Sequence, residues 1–249
     1  SAGLIFMDNK DYVNMCAHAT IAAATVLLET GKIECNDGCA EFFFEVPLGL
    51  VKIYAELDDE RVTSIHLTGL PSFTYAANQR ISVHGRDVEL DVCYGGNNFA
   101  VVDAHQLDTP VNREHVDELI EWGMEIREEA NRRLEIAHPE KPELNVVHQV
   151  LIHGDPMAEG ANAKNIIVSA MGKVDRSPCG TGTCARMASL YTRGLLSPGE
   201  TFVNEGIIGT TFRGRIEDEV KIGPYDGIVP VVEANAYITG FNTLTVDPH

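Results

Sequence analysis

Short segments in which hydrophobic and polar residues alternate recur along most of the chain, and a period of two is typical of β-strands. Pro47, Leu48 and Gly49 stand between two such segments and indicate a hairpin turn. The pattern predicts strands over residues 4–7, 41–46, 50–57, 61–67, 80–84, 87–94, 99–102, 145–152, 165–169, 201–205, 211–216, 228–232 and 236–238.

Three other segments show helical patterns. In residues 116–134 the apolar positions recur at helical spacing between glutamates and arginines, which predicts an amphipathic helix packed on the outside of a sheet. Asn112 is suited to be its N-cap. Residues 21–28 and 184–191 are apolar on nearly every face, and helices of that kind are buried.

The two apolar helices resemble copies of one element. Cys16 precedes Gly31 by fifteen residues, and Cys179 precedes Gly194 by the same distance. Glycine commonly occupies the left-handed position that ends a helix, so both glycines are predicted at that position. The spacing therefore places one cysteine near the start of each buried helix.

The residues before each cysteine predict the start of the helix. Asn14 and Ser177 are suited to the N-cap, and Pro178 to the first helical position. The first turn of a helix has unpaired N–H groups and a positive dipole, which together lower the pKa of a thiol and bind a carboxylate. Each helix is therefore predicted to hold a reactive thiolate beside an anion site.

Two such thiols suit proton transfer at the α-carbon of an amino acid. Removing a proton from one face and returning one to the other requires two groups on opposite sides of the carbon. The competing interpretations are that both cysteines are buried small hydrophobic residues, or that Cys16 and His18 form a nucleophile–base pair. Residues two apart on a helix do not face each other, which disfavours the pair.

Composition narrows the function classes. The 249 residues include 19 Lys and Arg against 37 Asp and Glu, a net charge of −18 that disfavours nucleic acid and anionic membrane as partners. No apolar run reaches the roughly 20 residues of a membrane span, and no basic flank of a signal peptide is seen, so a cytoplasmic location is expected. Cys35 and Cys39 lack a second pair of matching spacing, so no metal site is predicted.

Two cysteine motifs resemble those of a known family. The string Asp175–Arg176–Ser177–Pro178–Cys179–Gly180–Thr181–Gly182–Thr183 resembles the hallmark of the proline racemase family, and residues 15–21 (MCAHATI) resemble its other cysteine motif. Residues 94–99, 207–214 and 238–242 extend the resemblance over nearly the whole chain.

The resemblance implies an α/β fold of two similar lobes, each a β-barrel-like sheet around a central buried helix, as in diaminopimelate epimerase. Residues 1–68 with 229–249 are expected to form the first lobe and residues 69–228 the second. The family has a further stretch before the first lobe, so that lobe is expected to be incomplete at its N-terminus. Homodimers are common in the family.

The resemblance also implies the site. Cys16 and Cys179 would be the two acid/base groups, without metal or organic cofactor, acting on proline or hydroxyproline as a small-molecule substrate. The residues expected to bind the substrate's carboxylate and amine are Ala17, His18, Asp175, Gly180 and Thr181. The family usually has glycine in place of Ala17, and the extra methyl is expected to crowd the carboxylate.

Two positions bear on the substrate. Proline racemases of the family carry a bulky Phe where this chain has Ser169, and Gln149 matches another pocket position. Both side chains are polar, which favours hydroxyproline over proline. Related dehydratases carry Thr in place of Cys179, so the cysteine argues against a lyase. A diaminopimelate epimerase, in which Asn would replace His18, and a non-catalytic amino-acid-binding protein remain as alternatives.

Overall fold

The computed structural model describes residues 2–7 and 12–246, as strands, three α-helices and three short 3-10 turns. The first strands are Ala2–Gly3 (β1), Phe6–Met7 (β2), Tyr12–Val13 (β3), Cys39–Val46 (β4), Gly49–Asp58 (β5), Arg61–Thr68 (β6), Ser72–Val83 (β7) and Arg86–Tyr94 (β8). The others are Asn98–Asp103 (β9), Gln149–Gly154 (β10), Ala163–Ser169 (β11), Val174–Asp175 (β12), Thr201–Glu205 (β13), Thr211–Ile222 (β14) and Tyr225–Ala234 (β15). The helices are Ala17–Glu29 (α1), Val116–Arg133 (α2) and Gly180–Thr192 (α3), and the 3-10 turns are Ala104–Leu107, Arg113–His115 and Ala170–Gly172.

Eight strands close into a barrel. Their order is β7–β8–β9–β10–β11–β13–β14–β15, and the ring closes where Gly227 and Ile228 of β15 pair with Phe73 and Ser72 of β7. Closure leaves no free strand edge within the ring. The β9–β10 and β11–β13 pairs are parallel, so each needs a crossover, and α2 and α3 lie in these two crossovers.

Strand β15 links the barrel to a second, open sheet. Its C-terminal half, Val231–Ala234, pairs with β6, which continues through β5 and β4 to β1. This open sheet and α1 share one hydrophobic cluster. The predicted division into lobes stays a prediction, and its residues 1, 8–11 and 247–249 lie outside the described part of the chain.

Helix α3 is enclosed by the barrel, as its apolar sequence predicts. It contacts β7, β8, β9, β14 and β15, and Asn204 of β13 donates a hydrogen bond to its Thr183. The helix α2 lies on the other face of the barrel wall, where Leu119 and Ile126 pack against Val168 and its neighbours. Both locations, and the α/β class, confirm the predictions.

Helix α1 differs from the expectation of complete burial. Ile21, Ala24 and Leu28 are buried against the open sheet, but Val26 is 43% exposed. The reason is that an open sheet covers only one side of a helix, whereas a closed barrel covers all sides. Sequence alone could not distinguish the two because both helices are apolar throughout.

Both cysteine helices end in the same way. Gly31 and Gly194 have φ of 67° each, and their N–H groups bond to the carbonyls of Leu28 and Tyr191. The next residue in each case bonds back five positions, which completes a Schellman motif. The predicted role of both glycines is confirmed.

Some predicted strands are wrong or altered. Residues 236–238 form no strand, and the described part of the chain after Ala234 is irregular to residue 246. Of the predicted strand over residues 4–7, only Phe6–Met7 (β2) is a strand, and β1 lies before it. Among the described residues, no helix is both long enough and apolar enough to cross a membrane.

The repeated helix end can be tested with Gly31→Ala and Gly194→Ala. No atom lies within 4 Å of a β-carbon at either position, so only the left-handed backbone opposes alanine. Each substitution is expected to lower the free energy of unfolding by about 1–2 kcal/mol, measured by urea denaturation. Gly31→Asn and Gly194→Asn serve as controls and should lose less, because asparagine tolerates this conformation. Equal losses for alanine and asparagine would contradict the explanation.

Candidate active site

Each of the two cysteines is itself the N-cap of its helix. Cys16 caps α1 with an extended backbone, and Cys179 caps α3 with its sulfur accepting the Gly182 N–H at 3.4 Å. The predicted N-caps Asn14 and Ser177 are therefore wrong, by two residues. Ser177 instead accepts the Cys179 N–H on its Oγ, at 3.1 Å.

The N-termini of the two helices meet. A β-carbon built on Gly180 would lie 2.4 Å from the Cβ of Ala17, so the first residues of α1 and α3 are in contact. Asn97 spans the same junction, because its Nδ2 donates to the Met15 carbonyl at 3.1 Å and to Thr181 Oγ1 at 3.4 Å. The predicted site residues Ala17, Gly180 and Thr181 thus lie together between the two cysteines.

The methyl of Ala17 packs at the junction of the two helices. It is buried against Gly180, and Ala17 is not among the residues that line the adjoining cleft. The methyl fills a space between the two helices that a glycine at position 17 would leave empty. The predicted crowding of the carboxylate site stays a prediction.

His18 connects α1 to the loop before α3. Its Nδ1 lies 3.1 Å from Ser177 Oγ and 3.5 Å from Asp175 Oδ2. The hydrogen bond to Asp175, and next that to Cys16, raise the pKa of His18 to about 10, against the opposing effect of partial burial. Burial acts to raise the pKa of Asp175, but bonding to His18 and Ser177 holds it below its ordinary value. The two side chains form an ion pair at neutral pH.

The contact between His18 and Cys16 corrects the sequence interpretation. The argument that residues two apart on a helix face different directions assumes that both are helical. Cys16 has φ of −141° and ψ of 99°, which is extended backbone, so its side chain can reach the ring of His18. The N-cap position of the cysteine is the reason.

The expected lowering of the thiol pKa is wrong for Cys179. Burial raises the pKa of this thiol well above its ordinary value, and the negative charge of Asp175 raises it further. Hydrogen bonds from Thr181 and Gly182 oppose this shift without cancelling it. At neutral pH, Cys179 is therefore a thiol.

A cleft of about 460 Å³ opens beside the His18–Asp175 pair. Gln149 and Ser169, which face each other across the β10–β11 register, both line it. Gln149 Oε1 is buried and has no hydrogen-bond partner, while Ser169 Oγ lies 3.2 Å from the Lys173 carbonyl oxygen. The wall of the cleft therefore contains a polar side chain whose buried oxygen has no hydrogen-bond partner, together with an ion pair.

The structure thus brings the predicted site residues to one region, at the paired N-termini and the adjoining cleft. Sequence reasoning missed Asn97 as a bridge between the helices, although residues 94–99 were part of the family resemblance. It also missed Ile167, whose side chain lies close to Gly182 and lines the cleft.

No cluster of three or more metal-ligating side chains occurs in residues 2–7 and 12–246. The thiol of Cys39, at the start of β4, donates to the Asn36 carbonyl at 3.4 Å.

Comparison with known proteins places this geometry in a family. Residues 1–249 match the family model described as proline racemase. The chain belongs to the proline racemase family. The proline racemase of Acetoanaerobium sticklandii is 40% identical over 248 residues, which are 99% of this chain and 74% of that protein. The 4-hydroxyproline 2-epimerase of Spirosoma linguale is 39% identical over 249 residues, at the same coverage of both chains.

The family includes another activity and has solved structures. The trans-3-hydroxy-L-proline dehydratase of Bacillus cereus is 35% identical over 246 residues, 99% of this chain and 74% of its own length. A hydroxyproline epimerase from Agrobacterium vitis, solved with bound trans-4-hydroxy-L-proline, has a TM-score of 0.89 at 30% identity. That match covers 96% of this chain and 69% of the other, and it confirms the predicted fold.

The His18–Asp175 pair can be tested by NMR titration of the His18 ring. A midpoint at about pH 10 is expected, falling toward 6.5 in Asp175→Asn because the partner charge is lost. The folded pKa exceeds the unfolded value, so the pair stabilises fully below pH 6.5, and the stabilisation is lost as pH rises toward 10. The free energies of unfolding of wild type and His18→Asn should therefore converge as the pH rises through that range. A wild-type midpoint near 6.5 would contradict the pairing.

Proposed function

We propose that this chain interconverts the two C2 epimers of a cyclic imino acid, with Cys16 and Cys179 carrying the protons. The isomerase class follows from membership of the proline racemase family. The observation that carries the mechanism is the pairing of two N-cap cysteines at helix ends that are in contact. This arrangement suits a substrate held between two sulfurs, with one on each face of its α-carbon.

The two cysteines have unequal starting forms in this proposal. The pKa of Cys179 is raised by burial, so it begins as the thiol that gives a proton to the carbanion. Cys16 begins as the thiolate that removes the α-proton, because the reaction needs one group of each kind. After one turnover the forms are exchanged, and the opposite epimer can then react.

The helix ends and the ion pair would bind the substrate's charged groups. First-turn N–H groups have no partner within a helix, and those of α1 and α3 converge where Ala17 touches Gly180. This is a suitable place for the carboxylate, whose charge the two helix dipoles stabilise. Asp175, which stays ionised, is suited to accept a hydrogen bond from the imino nitrogen of the substrate. His18 holds the Asp175 carboxylate in place.

Gln149 supports a hydroxylated substrate. A buried acceptor without a partner is unfavourable by about 1–3 kcal/mol, and a substrate hydroxyl that donates to it would remove this penalty. The residue lines the cleft opposite Ser169, away from the helix ends. We therefore propose a hydroxyproline as the preferred substrate and proline as the poorer one.

The setting of the enzyme is part of the proposal. All six cysteines are free thiols, and a reducing cytoplasm would keep the two proton carriers in that form. A homodimer is proposed because homodimers are common in the family. Light scattering on purified protein would measure the molar mass that distinguishes a dimer from a monomer.

The proton transfer is tested by incubating the enzyme in heavy water with L-proline and with trans-4-hydroxy-L-proline. Wild type is expected to place deuterium at the α-carbon and to form the opposite C2 epimer. Cys16→Ser and Cys179→Ser should each lower inversion at least about 100-fold, because serine is too weak an acid to replace a thiol. Cys39→Ser is the control and should leave the rate unchanged.

Two outcomes would contradict the mechanism. If both cysteine variants invert the substrate at the wild-type rate, other groups move the proton. Loss of water from trans-3-hydroxy-L-proline without epimerisation of either substrate would place the chain with the dehydratases instead.

The role of Gln149 is tested with Gln149→Leu, which keeps the volume and removes the polar end. The kcat/KM for trans-4-hydroxy-L-proline is expected to fall about tenfold or more, since its hydroxyl loses a partner. The kcat/KM for L-proline should stay the same or rise. An equal fall for both substrates would show that Gln149 only shapes the cleft.

A further inference from the structure

Two buried amides hold the carbonyl that precedes Cys179. Asn165 Nδ2 donates to the Pro178 carbonyl at 3.1 Å, and Asn204 Nδ2 donates to it at 3.2 Å. The two asparagines are 1% exposed and come from the neighbouring strands β11 and β13. Neither lines the cleft described above, so both act on the site from behind.

Asn204 also reaches the carbonyl of Cys179 through one intermediate. Its Nδ2 donates to Thr183 Oγ1 at 2.8 Å, and this hydroxyl donates to the Cys179 carbonyl at 2.8 Å. The two hydrogens of one amide therefore hold the carbonyl groups on both sides of Cys179. The peptide units that flank the residue are fixed by a single side chain and its partners.

The backbone between these two carbonyls is strained. Cys179 has φ of 62° and ψ of 105°, a combination that residues with a β-carbon rarely adopt. Such a conformation persists only where its surroundings enforce it. In this conformation the sulfur lies 3.5 Å from Thr181 Oγ1 and accepts the Gly182 N–H.

The first cysteine provides a natural comparison. Thr20 Oγ1 donates to the Cys16 carbonyl at 2.9 Å, as Thr183 does to that of Cys179. Cys16, however, has an ordinary extended backbone, and no side-chain amide in the described part of the chain donates to the Thr20 hydroxyl. The two hydrogen bonds from Asn204 Nδ2, to the Pro178 carbonyl and to Thr183 Oγ1, are called the amide fork. This fork is found at the strained cysteine, Cys179.

We propose that Asn204 is a positioning residue that keeps Cys179 in the strained conformation from which its sulfur reaches the substrate, with Asn165 sharing the Pro178 carbonyl. The proposal rests on the proposed function, in which Cys179 carries one of the two protons. Without the fork, the backbone of Cys179 relaxes and only this sulfur moves out of line.

A positioning role has a directional consequence. In heavy water each cysteine exchanges the α-proton of the epimer whose proton faces it. When Cys179 is misplaced, Cys16 still removes the proton of its own epimer, its S–H exchanges with heavy water, and the resulting S–D returns deuterium to the same face. That epimer exchanges with retention, the other exchanges poorly, and inversion fails in both directions.

The test compares Asn204→Leu and Thr183→Val with wild type on each of the two epimers, trans-4-hydroxy-L-proline and cis-4-hydroxy-D-proline. Inversion is expected to fall about 100-fold, the effect typical of a reacting group displaced by about 1 Å. Deuterium exchange should persist for one epimer and be lost for the other. Thr20→Val is the matched control on α1. If it lowers deuterium exchange, the epimer affected should be the one whose exchange persists in the other two variants.

The outcomes separate the two proposals. Absence of exchange in wild type overturns the proposed function and this role with it. The positioning role alone is overturned if wild type exchanges deuterium and both variants keep its ratio of exchange rates for the two epimers. This holds even if the rates themselves or the thermal stability fall. Thr183→Val replaces a hydroxyl by a methyl of equal size, so it decides the question if Asn204→Leu does not fold.

Discussion

The contact between Ala17 and Gly180 is the constraint on which the rest of the structure depends. Two helices from different parts of the chain can bring their N-termini together only where side chains at the meeting point are minimal, and here a methyl group faces a hydrogen. The cysteines cap these same ends, so the helix contact sets how close the two sulfurs can be. The barrel around α3 and the open sheet behind α1 hold the helices against each other.

Desolvation, more than the helix dipole, governs the electrostatics at Cys179. A helix N-terminus contributes roughly 0.3–1 kcal/mol at exposed sites, which is small beside the penalty for ionising a fully buried sulfur. The rule that helix N-termini lower thiol pKa values therefore fails for Cys179. His18 and Asp175 lie nearer the open cleft, and their opposite charges stabilise each other.

Sequence predicted the repeated element well because both of its ends are local. Gly31 and Gly194 need a left-handed backbone, and that need is visible from spacing alone. The N-caps lie two residues after the predicted positions because cysteine is not among the residues usually found there. The burial of α1 depends on which sheet covers it. Asn97, Asn165 and Asn204 could not be found in this way, because tertiary contacts bring them to the helix ends from distant strands.

The two cysteines follow one design but are held differently, and the proposed mechanism gives the difference a chemical role. A proton-transfer pair with identical environments would favour neither the thiol–thiolate form nor its reverse. Burial and backbone strain at Cys179, against an extended backbone and a charged neighbour at Cys16, make the two ends unequal. In the proposed mechanism, this inequality selects the sulfur that starts as the thiol, while the matched helix ends let both sulfurs approach the same carbon.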